Sequence, residues 1–351
     1  MLASARGLNV NPLSEAMDVI AAAPPRFDEA TVLRTLEDAY GLGGSLHSLI
    51  SERDQNFRLD CADGKQFVVK IANECEPTEI TDFQVQVLRH LEASTCPVPV
   101  PHVVRTRSGS LIVEAGTQGH SLRVVSYLPG IPAEDVRVEP ALGYELGRNL
   151  ALLDAALKGF SHPGQSQVLM WDMQRAAELQ EVLEYVADEE LRGELIACID
   201  QFQERVLPGF ASLRRQVIHN DLNPGNVLVD SEDPRVVSGI IDLGDMLHAP
   251  LVVDAAIAAS YLRDSDFAVM GEFFRGYQSV IEFEPAERQI LYDLVRTRLA
   301  TTLAIFHWRA SARSSADPYL EKMFSEQSAE RFFHQITALG GDRFEQQLLT
   351  K

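Results

Sequence analysis

A polar loop between two apolar stretches carries side chains that could perform chemistry. Residues 217–229 read VIHNDLNPGNVLV, so Asp221 and Asn226 lie at opposite ends of one loop. A further apolar stretch, residues 236–241, ends at Asp242. Phosphoryl transfer needs a base for the attacking hydroxyl and hard oxygen ligands for Mg²⁺. An Asp and an Asn on one loop, with a second Asp at the end of the next strand, supply this set.

The order of these residues resembles a known family. The pattern His219-x-Asp221-x-x-x-x-Asn226, followed by the strand-terminal Asp242, is similar to that of the aminoglycoside phosphotransferases and choline kinases. The resemblance implies a small-molecule kinase that transfers the γ-phosphoryl group of ATP or GTP to a hydroxyl. It also implies that Asp221 is the catalytic base, that Asn226 and Asp242 bind Mg²⁺, and that His219 braces the loop.

The same resemblance implies a two-lobed α+β fold like that of the protein kinases, with a small antiparallel-sheet N-lobe and a large, mainly helical C-lobe. Lys70, in Val69-Lys70-Ile71, would then contact the nucleotide phosphates. The backbone of Ser126, Tyr127 and Leu128 would bond the nucleobase at the hinge between the lobes. Because a hinge of this kind reads the base through its backbone, ATP and GTP both remain open as donors.

Two features depart from the family pattern. Residues 51–57 contain no glycine to cradle phosphates, so Ser51 or Gln55 is expected to contact phosphate by side chain or backbone. The following helix carries Gln84 where a glutamate partner of Lys70 is expected. Two acidic residues near it are alternative partners: Asp82 and Glu79.

Segments from both lobes are most similar to the hydroxylysine kinases of this group. They are residues 54–57, 69–73, 127–130 and 239–246. The expected acceptor is therefore a small hydroxylated amine or amino acid, with hydroxylysine first. Homoserine, choline or an aminoglycoside remain alternative acceptors, and an inactive nucleotide-binding module is the alternative of another class. Asn220 replaces the glycine that usually precedes the base.

Three further residues are candidates for the acceptor side of the site. Asp245 follows Asp242 closely and could hold a metal-bound water or a substrate ammonium. Trp171 lies at a place where hydroxylysine kinases also have a tryptophan, and it could wall the pocket. Arg298 is the candidate cation for an acceptor carboxylate, because a guanidinium pairs with a carboxylate in a bidentate manner.

The elements that must position these residues follow from hydrophobic periodicity and turn signals. We assign residues 1–25 to a loosely attached leader, 26–130 to the N-lobe and 131–351 to the C-lobe. In the N-lobe, a helix runs from an Asp28 N-cap to Gly41, and a hairpin turns at Asp63-Gly64. Further strands are expected at 100–105, 111–114 and 123–128. The C-lobe helices are expected at 142–153, 171–186, 191–206, 252–262, 267–277 and 285–310.

Composition limits the possible partners and the location. The chain has 351 residues, a formal charge of -20 and a pI near 4.8, so nucleic acid and anionic membrane surfaces are not expected partners. Four cysteines without a C-x-x-C pair favour a reducing cytoplasm. We expect neither a signal peptide nor a membrane span, since the apolar run near 252–262 is far shorter than ~20 residues. The sequence does not indicate an oligomeric state.

Overall fold

Two lobes of different composition form the chain. The computed structural model describes Met17 and residues 24–51, 53–116, 119–263, 266–312 and 326–349. Apart from Met17, Pro24 and Pro25, the predicted leader lies outside the described residues. A sheet lobe comes first and a helical lobe follows, as the sequence predicts.

The N-lobe is an antiparallel sheet flanked by two helices. Its strand order is β1-β2-β3-β5-β4. The elements are α1 (Glu29–Tyr40), β1 (Gly44–Leu49), β2 (Gln55–Cys61), β3 (Gln66–Ile71), α2 (Thr78–Ala93), β4 (Val113–Ala115) and β5 (His120–Ser126).

Local signals fix the ends of the first elements. The Asp28 side chain accepts a hydrogen bond of 2.9 Å from the Thr31 N–H and so caps α1. Gly41 ends the helix at φ 70°, and Gly64 turns the β2–β3 hairpin at φ 83°. Both are left-handed conformations that glycine adopts without a steric penalty. The predicted caps and turn are therefore confirmed.

The two faces of this sheet have different roles. Phe57, Val69 and Val124 face each other across three strands and form a small core with α1. Side chains alternate along a strand, so Lys70 and its cross-strand neighbour Arg123 lie on the opposite face. That face is turned toward α2 and the second lobe, because the neighbouring Val68 and Val125 pack into the larger core.

The segment before β4 differs from the sequence prediction. Residues 100–105 form only an isolated bridge between Val103 and Val125 rather than a strand. Pro97, Pro99 and Pro101 explain the difference, because proline has no N–H to donate to a ladder.

The C-lobe is mainly helical, with short strands around the polar loop. Its helices are α3 (Pro140–Leu157), α4 (Glu189–Arg205), α5 (Val252–Ser260), α6 (Phe267–Gln278), α7 (Pro285–Ala312), α8 (Glu326–Leu339) and α9 (Gly341–Leu348). Its strands are β6 (Ile131–Pro132), β7 (Arg215–Ile218), β8 (Val227–Val229), β9 (Val237–Ile240) and β10 (Leu247–Pro250). They form one sheet of order β6-β8-β9 and the pair β10-β7.

One predicted helix takes a tighter form. Met173–Tyr185 is a run of 3₁₀ turns rather than an α-helix, although its N-cap Asp172 accepts a hydrogen bond from the Gln174 N–H. Four shorter 3₁₀ segments occur at Ala133–Asp135, Pro163–Ser166, Leu207–Ser212 and Pro224–Asn226. Helices α8 and α9 were not among the expected elements.

Helices α3 and α6 approach each other closely through glycines. A Cβ atom on Gly147 would lie 1.9 Å from the Phe273 carbonyl oxygen, and one on Gly276 would lie 1.9 Å from that of Tyr144. Only glycine permits this approach. It brings Tyr277 of α6 against Asp154 of α3, where the two side chains form a hydrogen bond of 2.8 Å.

Within the ranges that the structure describes, no helix combines the length and the apolarity that crossing a lipid bilayer requires.

Candidate active site

The loop that carries Asp221 leaves β7 in an unusual backbone conformation. Asn220 has φ 65°, in the left-handed region that asparagine tolerates better than most side chains. This explains why asparagine can replace the family's glycine here. The N–H groups of His219 and Asn220 both donate to the Asp254 carboxylate, at 2.7 and 2.9 Å. Asp254, buried in the first turn of α5, therefore fixes the start of the loop.

His219 joins the loop to the strand that leads to Asp242. The Asp221 N–H donates to His219 Nδ1 at 3.3 Å, and His219 Nε2 donates to the Ile241 carbonyl at 3.2 Å. These two bonds require a neutral ring with its proton on Nε2. The imidazole is fully buried, which agrees with the predicted bracing role.

Two buried carboxyl groups lie behind this loop. Asp154 contacts Asp254, and burial together with that neighbouring carboxylate raises the pKa of Asp154 well above its ordinary value of 3.8. The hydroxyl of Tyr277 donates to Asp154 Oδ2. Two contacting buried carboxylates do not both ionise, so Asp154 keeps its proton and donates it to Asp254.

This pair predicts a pH-dependent stability. The pKa of Asp154 is higher in the folded chain than in the unfolded chain, so its protonation stabilises the fold. This contribution to the free energy of unfolding is fully present at pH values below the ordinary pKa of 3.8, and it is lost as pH rises through the folded pKa. The side-chain amide of an Asp154→Asn variant copies the protonated acid, so that decline should disappear. Urea unfolding from about pH 4 to about pH 8 should show the variant gaining stability relative to wild type as pH rises.

The matched control is Asp200→Asn, at an exposed aspartate of α4. Its stability difference from wild type should not change with pH. If the stability difference between Asp154→Asn and wild type also stayed constant with pH, Asp154 would be ionised in the folded protein throughout this range.

The Asp221 carboxylate is held on both of its oxygens. Tyr261 donates its hydroxyl to Oδ1 at 2.8 Å, while the side-chain amides of Asn223 and Asn226 donate to Oδ2 at 2.9 and 3.0 Å. The Asn226 amide also donates to the Asp221 carbonyl at 2.9 Å. Three donors therefore fix the rotamer of the predicted base.

The environment of this carboxylate favours an avid proton acceptor. Burial, and next the negative charge of Asp245, raise the pKa of Asp221 to about 7, against the lowering effects of Arg298 and the hydrogen bonds from Tyr261 and Asn223. A base whose pKa lies near the operating pH is suited to accept a proton from a hydroxyl.

Tyr261 connects the base to a buried arginine. Arg298, on α7, is 1% exposed and donates from Nη2 to the Tyr261 hydroxyl at 3.1 Å and from Nη1 to the Trp171 carbonyl at 2.8 Å. Its guanidinium carbon lies 5.2 Å from the Trp171 ring centroid and 5.9 Å from that of Tyr261. Trp171 and Arg298 are thus brought to the base, together with Tyr261, which no motif in the sequence identifies.

The two predicted metal ligands lie at the ends of adjacent strands, Asn226 just before β8 and Asp242 just after β9. Val227 pairs with Ile240, and the Ile241 N–H donates to the Asn226 carbonyl at 2.9 Å, so Asn226 and Asp242 flank one end of the ladder. Because the Asn226 amide nitrogen faces Asp221, its side-chain oxygen is left for a cation. Mg²⁺ commonly takes one or two protein oxygens and completes its shell with substrate phosphates and water. These residues fit that requirement.

The pKa and the exposure of the Asp242 carboxylate suit the binding of a cation. Its Oδ1 atom lies 3.2 Å from Lys70 Nζ, and this neighbouring charge lowers the pKa of Asp242 to about 2. The side chain is 51% exposed, so it is open to the cleft between the lobes. Its φ of 58° places it in the left-handed region, the kind of strained conformation that is frequent at functional sites.

Lys70 contacts Asp242 rather than an acid of α2. Gln84 is buried and accepts a hydrogen bond from Arg123, which also lies 3.9 Å from Asp54. Asp82 pairs with His162 at 3.1 Å. Gln84, at the position where a glutamate partner of Lys70 is expected, therefore binds Arg123 of the sheet.

The phosphate-loop candidates have separate environments. The Gln55 side chain exchanges two hydrogen bonds with the Phe27 backbone, at 2.8 and 3.0 Å, on the face of the sheet away from Lys70. Ser51 Oγ accepts from the Asp54 N–H at 3.3 Å. Arg53 reaches the cleft and places Nη2 2.6 Å from Asp245 Oδ1.

The hinge backbone is partly engaged within the protein. The Ser126 N–H donates to the His102 carbonyl at 2.9 Å, and the Tyr127 N–H donates to the Gln66 carbonyl at 3.2 Å. A nucleobase at this hinge would therefore use the carbonyls or the Leu128 N–H.

Together these groups can carry out phosphoryl transfer. The predicted base Asp221, the two predicted oxygen ligands for a cation and Lys70 lie around one cleft, and this reaction depends chiefly on positioning and charge stabilisation.

Comparisons with known proteins identify the family of the chain. The profile described as "Phosphotransferase enzyme family" matches residues 47–291. Hydroxylysine kinase from Mus musculus is 29% identical, with 91% of this chain and 92% of that protein covered. Hydroxylysine kinase from Danio rerio is 26% identical, with 92% and 94% covered.

Two solved structures share the fold. An amicoumacin kinase, in complex with AMP-PNP, Ca²⁺ and Ami, has a TM-score of 0.67 at 16% identity and covers 91% of this chain and 97% of its own. A microcompartment-associated aminopropanol kinase also has a TM-score of 0.67, at 19% identity, covering 91% and 98%.

Fold and site together define a two-lobed, protein-kinase-like small-molecule kinase. The chain belongs to the phosphotransferase enzyme family. It is an enzyme that transfers a phosphoryl group from a nucleotide to a hydroxyl acceptor, and its curated relatives are hydroxylysine kinases.

Proposed function

We propose that the enzyme phosphorylates the hydroxyl group of a small hydroxylated amino acid, hydroxylysine first, using ATP or GTP with Mg²⁺. The observation that carries the proposal is the similarity to hydroxylysine kinases across 91% of the chain, which includes both lobes. In this proposal Asp221 accepts the hydroxyl proton, while Asn226 and Asp242 hold Mg²⁺. When bound there, Mg²⁺ would supply positive charge that offsets the charge developing on the phosphates.

The charges around the base suit a cationic acceptor. Asp245 lies close enough to Asp221 to raise its pKa, and the chain as a whole carries a charge of -20. An acceptor amine is therefore attracted to the site. Asp245 is the proposed partner of that amine, and Trp171 is the proposed wall of its pocket.

Arg298 is the proposed source of positive charge on the acceptor side. At 1% exposure its guanidinium lies behind Trp171 and Tyr261, so an acceptor carboxylate can reach it only if one of these rings shifts. Its Nε has no hydrogen-bond partner among the described residues, which leaves one donor for such a ligand.

An acceptor screen tests the proposal. Hydroxylysine, homoserine, choline, aminopropanol and kanamycin would each be assayed with ATP and GTP, with Asp221→Asn as the blank. The highest kcat/KM is expected for hydroxylysine or a close analogue. A clearly higher kcat/KM for kanamycin or choline would overturn the acceptor assignment but not the kinase assignment.

Tyr261 is expected to position the base. Tyr261→Phe removes the hydrogen bond to Asp221 Oδ1 and the bond from Arg298. A hydrogen bond to a charged group contributes about 1.5–3 kcal/mol, so kcat should fall roughly tenfold or more. The KM for the nucleotide should stay near that of wild type, because neither bond involves the nucleotide side of the cleft.

The control is Tyr185→Phe, at an exposed tyrosine of the 3₁₀ segment. It should leave both constants unchanged. A Tyr261→Phe enzyme with wild-type kcat would show that the two asparagine amides suffice to hold the base.

We further propose a cytoplasmic location. All four cysteines, Cys61, Cys75, Cys96 and Cys198, are free thiols in the structure. Free thiols and the absence of cross-links between them suit a reducing compartment.

A further inference from the structure

Two cations of the N-lobe reach carboxylates of the same C-lobe loop. Lys70 Nζ lies 3.2 Å from Asp242 Oδ1, and Arg53 Nη2 lies 2.6 Å from Asp245 Oδ1. Both pairs cross the cleft in which a nucleotide must bind. The Arg53–Asp245 pair therefore repeats, three residues further along the loop, the arrangement of the phosphate-contacting lysine.

The guanidinium of Arg53 lies near the proposed metal ligand Asp242, and its partner Asp245 lies near the proposed base Asp221. The positive charge of Arg53 helps to lower the pKa of Asp242, while Asp245 is close enough to raise the pKa of Asp221. A Cβ atom on Gly244 would lie 3.3 Å from Asp242 Oδ1 and 3.6 Å from Arg53 Nη2, which places both groups around one point. In phosphoryl transfer, the transferred group must occupy the space between metal and base.

The backbone around Arg53 is anchored without glycine. The Asn73 side-chain amide donates to the Arg53 carbonyl at 3.3 Å, and the Asn73 N–H donates to Asp54 Oδ1 at 3.4 Å. The Asp54 N–H donates to Ser51 Oγ. This loop cannot wrap phosphates with closely approaching backbone amides, but it presents one side chain in a fixed place. The Arg53 side chain is 18% exposed, so its guanidinium is accessible from the cleft.

We propose that Arg53 is a catalytic residue that exchanges Asp245 for the non-bridging oxygens of the γ-phosphoryl group when the magnesium nucleotide binds. This inference rests on the proposed transfer from a nucleoside triphosphate. Lys70 would make the parallel exchange, leaving Asp242 for the phosphates when Asp242 holds a cation. Arginine suits this role, since its planar fork pairs with two phosphate oxygens at once.

The proposed phosphoryl transfer involves no proton transfer at Arg53. The acceptor oxygen forms a bond to the γ-phosphorus, and the bond between that phosphorus and the β–γ bridging oxygen breaks. The hydroxyl proton passes to Asp221, and the nucleoside diphosphate leaves with the bond electrons. Arg53 stays a cation and neutralises charge on the group in transit. Asp245, once released, is free to hold an acceptor ammonium.

Binding of two nucleotides that differ by the γ-phosphoryl group tests this role. The dissociation constants of Mg²⁺·AMP-PNP and Mg²⁺·ADP would be measured by calorimetry for wild type and Arg53→Gln. We expect Arg53→Gln to weaken AMP-PNP binding by roughly tenfold or more and to change ADP binding less than about twofold. Arg53→Lys should lie between the two, because lysine keeps the charge but not the fork.

Arg107→Gln is the matched control. It removes another N-lobe arginine with a carboxylate partner, Glu37, at an exposed position outside the cleft, and both dissociation constants should stay unchanged. ADP binding by Arg53→Gln reports that the nucleotide site is still folded. Equal losses for the two nucleotides, or no loss for either, would overturn the proposal.

The proposed function is tested separately by the wild-type enzyme. If it bound neither this pair nor GMP-PNP and GDP, the nucleotide-dependent function itself would fail. An incorrect acceptor assignment would leave these measurements unaffected, because no acceptor is present.

Discussion

The Asp221→Asn enzyme is expected to lose phosphoryl transfer almost completely while it still binds nucleotide. A general base contributes about 10²–10⁴-fold to the rate, and an asparagine at this position cannot accept the hydroxyl proton. Its oxygen can still accept the bond from Tyr261 or from Asn226, so the loop should keep its shape. Steady-state kcat with the best acceptor, and calorimetric binding of Mg²⁺·ADP, are the two measurements.

Two further variants make this result specific. Asp221→Glu keeps the charge but moves the carboxylate by one methylene, so it should also be strongly impaired. Asp233→Asn, at an exposed ion pair with Arg235, should behave as wild type. Near-normal turnover by Asp221→Asn would exclude this residue as the base.

Loss of the Asp242 carboxylate is expected to weaken metal dependence and activity together. Asp242→Asn is preferable to Asp242→Ala, because asparagine tolerates the φ of 58° while alanine would add backbone strain. A bound cation supplies several kcal/mol of charge stabilisation, so kcat should fall about 10²-fold or more. The Mg²⁺ concentration for half-maximal rate should rise at the same time, as measured by MgCl₂ titration at fixed nucleotide.

The exposed Asp63 of the β2–β3 turn supplies the control, since Asp63→Asn removes a carboxylate that pairs with Lys65 of the same turn. Its Mg²⁺ titration should match wild type. If Asp242→Asn kept the wild-type Mg²⁺ dependence, the ion would have to be held by other groups, and Asp242 would act mainly as the partner of Lys70.

The sequence was sufficient to predict the helix ends and turns that depend on neighbouring residues. An N-cap at Asp28, a left-handed glycine at Gly41 and an Asp63-Gly64 turn depend on neighbours a few residues away, and each is found as predicted. The strand predicted at residues 100–105 was wrong for an equally local reason, because the prolines in and before this segment remove ladder donors.

The sequence gives less information about Asp254, the acidic residue of helix α5. Asp254 lies in the run VVDAAIAAS, which favours a structural role. The structure specifies that role: its carboxylate accepts two loop N–H groups and shares a proton with Asp154. Nothing in the sequence links Asp154 to it, because the two residues lie on separate helices, α3 and α5, that are distant in the chain.

The sequence by itself determined the family and the two-lobed order, and it predicted the set formed by Asp221, Asn226 and Asp242. These residues are close along the chain, and short strands with a fixed ladder bring them to one edge. Tertiary structure alone decided which groups surround the set. Tyr261, Arg298 and Arg53 come from distant segments. Tyr261 bonds Asp221, Arg298 bonds Tyr261 and Arg53 bonds Asp245, and these hydrogen bonds leave no spacing pattern in the sequence. A hydrogen bond depends on distance in space and on side-chain direction, and packing of the helices and sheet sets both.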